Sequence, residues 1–168
     1  TVYDANGNAT ATAYTTDSAG RTTAVTTTNP LQQTSSVTLD PARGLTLTST
    51  DPNKVVSTVQ HDPLGRVTSV WQHSRATTAK ANGLFSYQVS NTGVTAVTAK
   101  TLLDAGSYRT TTTLYDAMLR ANQTQTNTPQ SGRMVTDTFY DSRGWVKQTN
   151  NGWWDPSTTP NTTRVYQS

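Results

Sequence analysis

Short stretches of alternating apolar and polar residues, separated by turn-forming residues at near-regular intervals, organise this chain. In Arg66-Val67-Thr68-Ser69-Val70-Trp71, Val67 and Trp71 share one face while Thr68 and Val70 take the other. That two-residue period marks a half-buried strand. Val55-Val56-Ser57-Thr58-Val59 alternates less cleanly, as a strand covered on both sides would. No segment carries a convincing helical period. The pattern predicts an all-β chain of tandem antiparallel hairpins.

One unit recurs between the strands. Its clearest copy is Phe139-Tyr140-Asp141-Ser142-Arg143-Gly144-Trp145-Val146, read as strand, turn, strand. Asp141 is placed to cap the turn by accepting hydrogen bonds from nearby backbone N–H groups. Gly144 stands where a type I turn with a following bulge needs left-handed backbone. The same reasoning assigns turn positions to Asp4, Gly7, Asp17, Gly20, Asp40, Asp51, Asp62, Gly65 and Asp116. Pro41, Pro52 and Pro63 follow three of these aspartates, where a fixed φ is favourable. Lys54 and Leu119 occupy the Gly slot, so their turns are expected to be looser or of another type.

Asp4 and Asp17 are 13 residues apart, and Asp40, Asp51 and Asp62 follow at 23, 11 and 11. Such spacings suit short strands joined by tight turns. The repeats occupy 1–71 and 108–168, and 72–107 is an irregular insert of a loop and a divergent hairpin, all in one continuous array. The strand beginning at Trp145 is expected to end at Thr149, before a turn-rich aromatic tail at 150–156. The ending Arg164-Val165-Tyr166-Gln167-Ser168 reads as an opening strand. That ending, and a start already inside a repeat, read as a segment of a longer polypeptide.

Composition sharpens this picture. Leu, Val and Phe number 26 of 168 residues and Ile is absent, too few for a self-contained core. The net charge of +3 lacks the excess that marks disorder. Thr contributes 37 residues, which favours extended backbone. The conflict resolves if thin sheet shares its core with neighbouring repeats, through an inner face of Tyr, Trp, Val and Leu. There is no Cys, so disulfides and thiolate metal sites are excluded. No apolar run approaches the ~20 residues of a membrane helix. If the terminal strands are edges, their unpaired backbone predicts self-association.

The candidate chemistry is sparse. His61 takes the place of a repeat Tyr, and a metal site with His73 would need further converging ligands. The pairs Asp51 with Asp62, and Asp116 with Asp141, would meet where turns stack on one edge, yet acid–base catalysis also needs a cleft and a shifted pKa. There are ten Asp and no Glu, and nearly every Asp is expected to cap a turn. No catalytic, metal or cofactor site is therefore expected. Arg21, Arg66, Arg120 and Arg143 are scattered and make no basic patch, so no nucleic-acid partner is expected; each is expected to tuck over a neighbouring turn. Trp71 and Trp145 read as packing residues inside strands. Trp153 and Trp154 are the candidates for ligand stacking, because neighbours on a strand face opposite ways.

The recurring Tyr-Asp-x-x-Gly-Arg unit, with Thr-Asp-Pro-Asn at 50–53 and Thr-x-Thr strands, resembles the RHS or YD-repeat family. The stretches 100–120 and 141–150 are similar to long secreted actinobacterial members. That family includes bacterial RHS toxins, the cocoon components of insecticidal toxin complexes and teneurin ectodomains. The resemblance implies hairpins in a β-strip that spirals into a hollow shell. It implies a secreted or cell-surface bacterial scaffold that encapsulates or presents a C-terminal toxin of the same polypeptide. The family's self-cleaving core has no counterpart in these residues. From the residues alone, the alternative is a carbohydrate-binding or adhesive module that uses Trp153, Trp154 and a Thr-rich face on a cell-surface glycan.

Overall fold

A computed structural model describes residues 1–156 and 158–166. The chain divides into two compact units, Thr1–Asn82 and Gly83–Ser168. In the first, β1 (Val2–Tyr3), β2 (Ala9–Thr16), β3 (Thr22–Thr28), β4 (Thr34–Leu39), β5 (Thr46–Thr50), β6 (Val56–His61) and β7 (Val67–Trp71) follow one another. In the second, the order is β8 (Gly83–Gln88), β9 (Thr95–Leu102), β10 (Tyr108–Tyr115), β11 (Ala121–Asn127), β12 (Arg133–Tyr140) and β13 (Val146–Asp155). Within each unit every strand pairs antiparallel with the next in sequence. Both units are hairpin meanders, and no helix occurs among the described residues.

Most of the Asp turns share one geometry. At Asp62, the backbone N–H donates to the Arg66 carbonyl at 2.9 Å and Gly65 N–H donates back to the Asp62 carbonyl at 2.9 Å. The carboxylate then accepts from the N–H groups of Leu64 and Arg66 at 2.9 and 3.0 Å. Asp4, Asp17, Asp116 and Asp141 repeat this arrangement. Gly at the fourth position has φ between 77° and 87° in four of the turns, a region closed to most side chains. A register shift beside each of the turns at Asp17, Asp62, Asp116 and Asp141 marks the bulge. Asp40 begins a turn one residue longer, closed by its N–H on the Leu45 carbonyl at 2.8 Å with Gly44 at φ 67°.

The turns at Lys54 and Leu119 are not looser. Lys54 N–H donates to the Asp51 carbonyl at 3.0 Å and Leu119 N–H to that of Asp116 at 2.9 Å, with φ of 66° and 58°. The hydrogen bonds and capping carboxylates override the steric cost of a side chain in the left-handed region, about 1–2 kcal/mol. Replacing Leu119 by Gly is therefore expected to stabilise the chain by about 1 kcal/mol, since a flexible glycine gives back part of the relief. Thermal melting of Leu119→Gly against the native chain measures this; a lower midpoint would mean the leucine is not strained there.

Two turns of the same form carry no aspartate in the capping slot. Asn29 takes the role between Asp17 and Asp40, accepting from the Leu31 and Gln33 N–H groups at 3.0 Å each. It accounts for the double interval in the spacing. Leu103 takes the slot in the turn closed by Gly106, whose φ is 77°. The stretch 72–107 thus supplies the loop 72–82 to the first unit, and β8, β9 and this turn to the second.

The core is thin. Trp71 and Ala81 are buried in the first unit; Ala96, Leu114 and Val135 are buried in the second. The strand read as ending at Thr149 continues to Asp155, because Trp153 and Asp155 find partners opposite Val135 and Arg133. Residues 150–153 on β13 oppose only 135–137 on β12, and this irregularity absorbs Asn151-Gly152. Arg164 to Tyr166 form no strand; the N–H and carbonyl of Val165 bond to the Gln123 side chain of β11 instead of joining a ladder, and Gln167 and Ser168 lie outside the described residues.

Candidate functional site

Turn aspartates do not assemble into a catalytic pair. Asp51 and Asp62 flank opposite ends of β6, so they lie on opposite edges of the first unit. Asp116 and Asp141 lie on one edge, each bonded into its own turn. Arg21, Arg66 and Arg120 pair first with the carboxylate of their own turn, at 2.8, 2.7 and 2.7 Å, instead of tucking only over a neighbour. Arg43 does both: it pairs with Asp40 at 2.9 Å, and its Nη1 donates to the Asp62 and Pro63 carbonyls at 3.0 and 3.2 Å. It so ties one turn to the next on the same edge.

This geometry sets the acid response. The carboxyl of Asp17 is held below its ordinary 3.8 by the Arg21 N–H and then the Arg21 side chain. At Asp62 desolvation pushes the value up, but the backbone N–H and guanidinium of Arg66 outweigh it. Asp4, Asp40 and Asp116 are lowered as well. A carboxyl more acidic in the folded chain stabilises it fully above the ordinary value and loses that stabilisation as pH falls through the lowered one. Circular dichroism followed from about pH 5 to about pH 2 should hold flat, then lose β-signal only below the ordinary carboxylate range. An onset well above that range would mean that other groups control acid unfolding.

His61 ends β6 with a buried Nδ1 that has no hydrogen-bond partner, and His73 lies in the exposed loop after β7. No group of three or more potential metal ligands occurs among the described residues. Trp71 is buried and donates its indole N–H to the Ala79 carbonyl at 2.9 Å. Trp145 is not packed inside a strand; it is 72% exposed at the turn before β13. Trp153 is half-buried and Trp154 52% exposed; as sequence neighbours on β13 they point to opposite faces and form no common platform.

The unusual chemistry lies elsewhere, on one face of the second unit. Gln123 and Gln125 stand two apart on β11, and Arg133, Val135 and Asp137 alternate on β12. The registers Gln123↔Asp137, Gln125↔Val135 and Arg133↔Asp155 bring these residues to one face. Gln123, Gln125, Arg133, Asp137 and Asp155 are all buried. The buried layer is thus largely polar, where an inner face of Tyr, Trp, Val and Leu was expected; Tyr3 and Tyr14 are 67% and 69% exposed. Asp137 and Asp155 are not turn caps.

Each polar group is oriented by the next. Asp155 Oδ2 accepts from Arg133 Nε and Nη2, both at 2.8 Å. Arg133 Nη1 donates to Gln125 Oε1 at 2.7 Å. Gln125 Nε2 donates to Gln123 Oε1 at 2.9 Å, and Gln123 Nε2 donates to Asp137 Oδ1 at 2.8 Å. A guanidinium can only donate and a carboxylate can only accept, so the charged ends fix which way both amides point. The relay closes burial costs that unpaired groups would incur.

The free valences of the two amides end on the segment 161–165. Gln125 Oε1 accepts from Asn161 N–H at 2.9 Å and its Nε2 donates to the Thr163 carbonyl at 2.8 Å. Gln123 Oε1 accepts from Val165 N–H at 3.1 Å and its Nε2 donates to the Val165 carbonyl at 2.7 Å. Arg164 Nη2 lies 3.6 Å from Asp137 Oδ1. The face grips polypeptide. No family model and no curated protein sequence matches the chain.

Such a face can bind and orient, and each of its carboxylates faces a guanidinium. Sequence reasoning passed over it. The available signal was Gln-Thr-Gln on one predicted strand and Arg and Asp four apart on the next, all on one face by alternation. Asp137 also lacks the turn-forming residues that follow a capping Asp.

Proposed function

We propose that this chain is a wall segment of a repeat-built shell, of the RHS or YD-repeat kind, that encloses or presents another part of the same polypeptide. It performs no catalysis of its own and acts outside the bacterial cell or on its surface. The observation that carries this reading is the grip of Gln123 and Gln125 on residues 161–165: the sheet face serves as a surface on which chain is laid. Ladders between successive hairpins and capped turns supply the rigidity a wall needs. Exclusion of solvent proteins from what lies behind the wall is the mechanism.

The test is made on the native polypeptide that carries this segment. Its denatured mass should be many times 18.1 kDa, and its C-terminal part should resist protease until the particle is unfolded. A mass near 18.1 kDa, or a C-terminal part cut as fast as a free peptide, would overturn the reading. The exposed indole of Trp154 favours a second reading, adhesion to a cell-surface glycan. A glycan array on which the native chain binds nothing, or binds as Trp154→Ala does, removes it.

A further inference from the structure

The hydrogen bonds that Gln123 and Gln125 make to residues 161–165 share one property: all four end on main-chain atoms. Gln123 meets both the N–H and the carbonyl of Val165, as a facing strand residue would. Gln125 spans a bend, taking the N–H of Asn161 and giving to the carbonyl of Thr163. The bend itself belongs to the segment, since Asn161 Oδ1 accepts from Thr163 N–H at 2.8 Å. Donor and acceptor directions are set from behind by Asp155, Arg133 and Asp137, before any segment arrives. Preorganised groups of this kind lose little on binding.

We propose that this face is a main-chain clamp, a site for a short bent polypeptide segment recognised by its amide and carbonyl groups, which residues 161–165 fill in this chain. Its occupant is polypeptide with an N–H at the first and fifth positions. The side chains at the second, third and fifth positions are free to vary. The third position supplies its carbonyl, and the Arg at the fourth faces Asp137. The inference rests on the wall reading only for its natural occupant, which would be chain held against the inside of the shell. The clamp itself stands on the geometry alone.

Two measurements on the full chain test it. In hydrogen–deuterium exchange, Gln123→Met should speed exchange at Val165 about fivefold and leave Asn161 unchanged, while Gln125→Met does the reverse. Equal effects at both amides would mean general loosening and would overturn the clamp. In the second, Asn161→Pro with Val165→Pro removes the two donors of the resident segment and empties the site. A fluorescein-labelled peptide with the sequence of residues 158–166 should then bind this variant. The native chain should not bind it, because its own segment competes at an effective concentration on the order of millimolar.

A peptide with Ala in place of Thr162, Thr163 and Val165 should bind within about threefold of the parent. One with Pro in place of Asn161 and Val165 should not bind. Binding of the parent peptide but not the Ala peptide would show side-chain recognition and sink the proposal, as would a variant with an exposed segment that takes neither. If the Pro variant does not fold, the site-specific exchange result decides. Protease protection in the native particle reads the wall and not the clamp, so the two can fail separately.

Discussion

Asp155→Ala is expected to cost about 3–5 kcal/mol, because it strands a guanidinium inside the second unit. Arg133 has a side chain only 2% exposed, and both its Nε and Nη2 rest on the one carboxylate oxygen at 2.8 Å. With that oxygen gone the charge keeps a single neutral partner from this relay, Gln125 Oε1. Denaturant unfolding should show a lower midpoint with an unchanged slope. Replacing both partners, Arg133→Met with Asp155→Leu, removes the charge along with its counter-charge and should cost clearly less. If the double variant is as unstable as the single one, the loss comes from packing and not from the stranded charge. The same comparison bears on the clamp, since Arg133 sets the direction of the Gln125 amide.

Gly132→Ala should cost more than about 3 kcal/mol, combining left-handed strain with a backbone collision. Gly132 has φ 73°, and an added Cβ would stand 2.5 Å from the Asp155 carbonyl oxygen and 2.9 Å from Pro156 Cα. Both are main-chain atoms at the end of β13, which cannot swing aside. Gly7 supplies the control: its φ is 80° and nothing lies within 4 Å of an added Cβ. Gly7→Ala should therefore lose only the conformational part, about 1 kcal/mol. Thermal melting of the two variants side by side separates strain from collision. Equal losses would mean the Asp155 strand end moves freely, and that Arg133 is held less rigidly than its contacts imply.

The hairpin repeat was legible because its determinants are local. An Asp that caps N–H groups two and four residues ahead, and a Gly in the left-handed slot, act within five residues of each other. Alternation then places each strand's faces without reference to the rest of the chain. The same locality explains the misses at Asn29, Leu103, Lys54 and Leu119. The turn is a backbone arrangement that a side chain favours but does not solely create, so Asn can cap it. Leu can occupy the capping slot, and Lys or Leu can be forced into the left-handed slot.

The buried polar face was not legible in this way. Alternation puts Gln123 with Gln125 and Arg133 with Asp137 on common faces, and that much is sequence. Whether a polar face meets water or chain depends on residues 161–165, some forty positions along from Gln123. The pairing of Arg133 with Asp155 depends on how β13 takes up its irregularity at Asn151-Gly152. Sequence by itself determined the hairpin repeat, most of its strands and its Asp-capped turns, because those follow from neighbours in the chain. Tertiary structure alone decided which polar groups are buried, what they hold and why their charges are tolerated, because burial and pairing arise only when distant segments meet.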